Sequence, residues 1–101
     1  MDPFVPVDSI LPALIAAKAR LTGSRARGDE HEHSDYDFRV TDAQWAKFKL
    51  LAPPGWVSVF PGHIGWMNTE YGLIEVSTIF RRQGLPRFHK AVALGREWDT
   101  W

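Results

Sequence analysis

From Asp35 to Val40 the chain alternates strictly. Asp35, Asp37 and Arg39 fall on one side, and Tyr36, Phe38 and Val40 on the other. A period of two is that of a β-strand with one face packed and the other open. Two carboxylates at i and i+2 project the same way, with Cα atoms about 6–7 Å apart. Their like charges oppose folding unless a cation or a base intervenes. An exposed strand face is the ordinary explanation of Asp-X-Asp, so the neighbouring sequence has to decide whether this one does chemistry.

The flanking pattern predicts helices on both sides of this strand. Ile10, Leu11, Leu14, Ile15 and Leu21 keep a helical spacing after Asp8 and Ser9, either of which can cap, with Pro12 in the first turn. A helix over about 9–20 follows. Thr41-Asp42-Ala43-Gln44 reads as a capping box, with Trp45, Phe48 and Leu51 on one helical face behind it and Pro53-Pro54-Gly55 as the stop. Residues 56–60 read as a strand. Residues 64–70 and 73–80 read as a hairpin around Tyr71-Gly72. Residues 85–94, stopped by Gly95, read as a short helix with Phe88, Ala91 and Val92 packed inward. The expected class is α/β or α+β, a mixed sheet of four to five strands flanked by helices.

With 101 residues the chain fits one domain, 1–101. An apolar share of 45% with five Trp, two Tyr and six Phe supplies a core and excludes a disordered chain. There is no cysteine, so disulfides and thiolate zinc sites are excluded. No apolar run approaches the roughly 18–20 residues of a membrane span, and the first residues lack the basic start of a signal peptide. The expectation is a cytoplasmic protein with no membrane partner. Trp98 and Trp101, close to the end of the sequence, are expected either to pack on the core or to mark an oligomer or partner surface.

Twelve Lys and Arg balance twelve Asp and Glu, yet the charge is polarised. Asp29, Glu30, Glu32, Asp35, Asp37 and Asp42 lie within fourteen residues that contain one Arg, Arg39, whereas residues 81–90 carry Arg81, Arg82, Arg87 and Lys90 and no acid. Upstream, Gly23-Ser24 precedes a possible helical turn through Ala26, where backbone N–H groups and a hydroxyl can face phosphate oxygens. Downstream, Glu75 is an acid between Ile74 and Val76 in an apolar strand. His31 and His33 form a His-X-His in the acidic loop, without a third ligand in sequence.

Taken together, Gly23-Ser24-Arg25-Ala26-Arg27-Gly28, five residues, then Ser34-Asp35-Tyr36-Asp37-Phe38 closely resembles the signature of the minimal nucleotidyltransferases of the DNA polymerase β-like superfamily. Their pattern is Gly-Ser-X-Ala-Arg-Gly, a short spacer, and Ser-Asp-X-Asp, with a third acid on a later strand. The order helix, strand-turn-helix, acid strand, helix, strand and Glu75 strand extends the likeness to about residue 80.

The resemblance implies a nucleotidyltransferase fold and transfer of a nucleoside monophosphate, AMP in the first instance, from an NTP to an acceptor hydroxyl. It implies ATP held by Gly23 and Ser24, and two Mg²⁺ or Mn²⁺ ions held by Asp35, Asp37 and Glu75, the three catalytic carboxylates. Arg27, and Arg25 beside it, is open to two readings: contact with phosphate, or a salt bridge to Asp29 or Glu30. Minimal members of the family often pair with a HEPN-type toxin and transfer AMP to it as antitoxin, so a partner protein or heterocomplex is one implied acceptor. Two alternatives stand beside this reading. One is a non-catalytic binding module of the same fold, which the three intact acids argue against. The other is an RNA-terminal transferase using the basic stretch 81–90.

Overall fold

The computed structural model describes residues 4–54, 58–59, 62–78 and 90–100. Its class is α+β, as expected. The helices are α1 (Leu11–Ala16), the single turn α2 (Ser24–Arg27) and α3 (Asp42–Leu51). The strands are β1 (Arg20–Thr22), β2 (Tyr36–Arg39), β3 (Ser58–Val59), β4 (Gly62–Thr69), β5 (Gly72–Ser77), β6 (Lys90–Ala93) and β7 (Arg96–Asp99). A mixed sheet runs β1-β2-β5-β4, and the two-residue β3 extends its outer edge. Among the described strand pairs only β2–β5 is parallel. The remaining strands, β6 and β7, form a separate hairpin.

The alternation read from 35–40 sets the two faces of the sheet. Tyr36, Phe38 and Val40 are buried, with Leu21, Ile74, Val76 and Met67 on the same side. Ile10, just ahead of α1, joins Leu14 of α1 and Trp45 and Phe48 of α3 in this core. The opposite face carries Asp37, Arg39 and Glu75. The predicted capping box is present: Thr41 Oγ1 accepts from the Gln44 backbone N–H at 3.1 Å, and Gln44 Oε1 accepts from the Thr41 N–H at 2.8 Å. Leu51, placed on the packed face of this helix by its spacing, is half exposed.

Three expectations need correction. The first helix ends at Ala16 and not near residue 20, and neither Asp8 nor Ser9 caps it with a side chain. It closes on Lys18, whose φ of 53° is left-handed. The Lys18 N–H donates to the Ile15 carbonyl and the Ala19 N–H to the Leu14 carbonyl, both at 3.0 Å, which is a Schellman closure. That leaves residues 20–22 for β1.

The helix expected over 85–94 is not a helix where it is described. Residues 90–93 are strand β6, joined to β7 through Leu94 and Gly95 at φ 55° and 78°. Two successive positive φ values make a type I′ turn, so Gly95 turns a hairpin instead of stopping a helix. Burial there has period two: Ala93 is buried and Val92 is 76% exposed. Phe88 lies outside the described residues.

The turn between β4 and β5 is Glu70-Tyr71, one residue earlier than expected, with Thr69 opposite Gly72. That shift moves every cross-strand partner by two positions.

Trp98 belongs to the core. It is 4% exposed, meets the Phe38 ring edge-on at a centroid distance of 4.8 Å, and donates its indole N–H to the Ala93 carbonyl at 2.9 Å. Trp101, residues 79–80 of the second hairpin arm, most of the expected 56–60 strand and Arg81, Arg82 and Arg87 lie outside the described residues. Among the described residues no helix is long and apolar enough to cross a membrane.

Candidate active site

The carboxylates are positioned by strand register. Asp37 on β2 pairs with Glu75 on the parallel neighbour β5, Thr22 on β1 lies opposite Asp37, and Trp66 on β4 lies opposite Glu75. Paired residues share a sheet face, so Thr22, Asp37, Glu75 and Trp66 form one row across four strands. The next row, on the same face, holds Arg39, Ser77 and Ile64.

At the β1 end of this row the chain turns sharply through Gly23, with φ 75° and ψ −158°, a conformation essentially reserved to glycine. A Cβ at residue 23 would sit 2.5 Å from Asp37 Oδ2. The glycine therefore brings the turn directly against the carboxylate. Residues 24–27 then form the helical turn expected through Ala26, which is closed by Gly28 at φ 82°.

Arg25 is committed to structure. Its Nε and Nη2 donate to the Ser34 carbonyl at 3.1 and 2.9 Å, and its guanidinium lies 3.9 Å from the Tyr36 ring centre. This fork fixes the end of the acidic loop where β2 begins. Arg27 makes an exposed salt bridge, Nε to Asp29 Oδ2 at 3.4 Å, and still borders the site. The acidic loop is folded on itself: the His33 N–H donates to His31 Nδ1 at 3.1 Å, and the His31 N–H to Ser34 Oγ at 2.9 Å. With His33 Nε2 also 3.3 Å from Glu32 Oε1, two of the four ring nitrogens of His31 and His33 are already engaged.

A cleft of about 560 Å³ opens over this face, lined by all six residues singled out from the sequence: Gly23, Ser24, Arg27, Asp35, Asp37 and Glu75. Burial pushes the Asp37 carboxyl above its ordinary value, and the Glu75 charge pushes it further; Arg39 pulls it partly back, while Asp35 and a side-chain hydrogen bond to Glu75 raise it. Arg39 Nη1 stands 3.6 Å from Glu75 Oε2.

The carboxylates are hard oxygen donors, the kind Mg²⁺ takes. Among the described residues no three His, Asp or Glu are drawn together as a finished metal cage. Mg²⁺ is usually held by one or two carboxylates together with substrate phosphates and water. The adjacent Asp37 and Glu75, with Asp35 in the same cleft, fit that mode.

Two features went unread in the sequence. The first is the Arg39–Glu75 pair: the alternation had put Arg39 on the acid face, but its partner follows only from the β2–β5 register. The second is Trp66, 42% exposed beside Glu75. A turn at Tyr71-Gly72 would have set Asn68 there instead. No family model, curated protein or solved structure matches the chain.

Proposed function

We propose that this chain is a metal-dependent nucleotidyltransferase with the fold of the minimal members of the DNA polymerase β-like superfamily. It would move a nucleoside monophosphate, AMP in the first instance, from an NTP to an acceptor hydroxyl. The observation that carries the reading is the convergence of Gly23, Ser24, Arg27, Asp35, Asp37 and Glu75 on one cleft, from segments far apart in the chain.

In this reading the turn at Gly23-Ser24 receives the triphosphate at one end of the row, and Asp35 and Asp37 would hold the divalent ions beside its α-phosphate. Divalent ions, when bound, neutralise the triphosphate and polarise the attacked phosphorus. Attack and departure must lie roughly in line. With the pyrophosphate leaving toward Gly23, the acceptor enters from the opposite side, over Glu75 and Trp66. The acceptor oxygen bonds to the α-phosphorus, the bond to the β-phosphate oxygen breaks, and Glu75 takes the hydroxyl proton. Ser24 and Arg27 steady the departing pyrophosphate.

The test is incubation with each α-labelled NTP, Mg²⁺ and a cell lysate, followed by identification of what becomes labelled. Wild type should transfer label, and Asp37→Asn should lose it by at least a hundredfold while keeping its circular dichroism spectrum. Full transfer by Asp37→Asn would overturn the assignment. Label in protein would favour a partner-modifying enzyme, and label in RNA the terminal-transferase alternative.

A further inference from the structure

The sheet face that carries the acids also carries a cation. Arg39 follows Asp37 by two residues on β2, so both point into the cleft. The Arg39 side chain is 17% exposed and that of Glu75 24%, which makes this ion pair far less wet than the other salt bridges among the described residues. The guanidinium is not tightly held: its ion-pair contact with Glu75 Oε2 is 3.6 Å, and Nη1 donates a long hydrogen bond of 3.4 Å to the Phe38 carbonyl. A partly buried guanidinium with two long contacts neutralises its neighbour without being locked to it.

We infer that Arg39 is the built-in counter-ion of Glu75 and holds divalent cations off that carboxylate until the guanidinium is drawn away. The inference rests on the nucleotidyltransferase reading of the acids. An isolated Asp37–Glu75 pair would attract any divalent ion. With Arg39 against Glu75, an incoming ion must displace a positive charge or bind beside it. Even at the dielectric of water, a unit charge one residue's reach from a divalent ion weakens its binding about tenfold. Ion loading at Glu75 is therefore weak in the nucleotide-free cleft. An arriving triphosphate is the natural ligand to draw the guanidinium aside, because Arg matches phosphate oxygens bidentately.

The measurement is a Mn²⁺ titration without nucleotide, read as the electron paramagnetic resonance signal of the free ion. It compares wild type with Arg39→Gln, Arg39→Lys, Arg39→Gln/Glu75→Gln and Asp37→Asn. Arg39→Gln should bind Mn²⁺ about tenfold more tightly than wild type, Arg39→Lys should stay close to wild type, and adding Glu75→Gln should erase the gain. Melting in EDTA gives an independent readout: Arg39→Gln should melt lower than wild type, because Glu75 loses its partner. A gain in Mn²⁺ affinity that survives Glu75→Gln, or no gain at all while Asp37→Asn still abolishes binding, would overturn the counter-ion role and leave the enzyme reading standing. Mn²⁺ binding that ignores Asp37→Asn would overturn both.

Discussion

Gly23 and Asp37 are separate in sequence and in contact in space, and each constrains the other. Alanine at position 23 would have to leave a backbone conformation that costs about 1–3 kcal/mol for any other residue, or push Asp37 aside. Gly23→Ala should therefore lower stability by about 2 kcal/mol in urea unfolding, and also weaken binding of a nonhydrolysable NTP. Loss of stability with unchanged nucleotide affinity would separate the turn from the cleft. At Asp37 the raised carboxyl has a signed consequence. Below the ordinary carboxylate range the group is protonated in both folded and unfolded chains and contributes nothing. As pH rises through that range the unfolded chain loses its proton first, so the fold loses stability up to the higher native value and stays lower above it. In EDTA, Asp37→Asn should thus melt above wild type at pH 7, with the advantage vanishing near pH 3. A variant that melts below wild type at pH 7 would show that neither burial nor the Glu75 charge penalises the ionised acid. Arg39 limits the size of this effect, since it already offsets part of the charge.

Elements that announce their ends chemically were legible, and those that end by conformation alone were not. The Thr41–Gln44 box is side-chain chemistry, so α3 began where the sequence said. The close of α1 depends on Lys18 adopting a left-handed φ, a role usually signalled by glycine, so the apolar spacing alone makes the helix too long. The same ambiguity reversed the last element, because Gly95 serves a hairpin turn as well as a helix stop. A test follows at Lys18. Lys18→Gly removes the steric cost of the left-handed conformation and should stabilise the protein by about 1 kcal/mol in urea unfolding. Destabilisation would mean that the Lys18 side chain makes a contribution its exposure does not suggest. The candidate site was legible as residue types and spacing. Its pairings were not, because Asp37 with Glu75, Glu75 with Arg39 and Glu75 with Trp66 are set by register between strands distant in sequence.

Across the whole molecule the two sheet faces divide the work, one packed by helices and hairpin, the other left open for charge. Trp98 ties the β6–β7 hairpin to the packed face through Phe38, beside the bridge from Leu21 to Thr100. Trp98→Ala should cost about 3–5 kcal/mol, a large share of the stability of a chain this size, measured by urea or thermal unfolding. A loss under about 1 kcal/mol would show the hairpin to be an appendage. The central position of β5 carries one more implication. The strand sits between β2 and β4, and its pairing with β2, distant in sequence, must be in place before Glu75 faces Asp37. A ligand that needs both acids therefore has nothing to grip in a partly built sheet. Bound ligand should slow the rate of unfolding and leave the refolding rate where it was, so the occupied protein gains lifetime instead of speed.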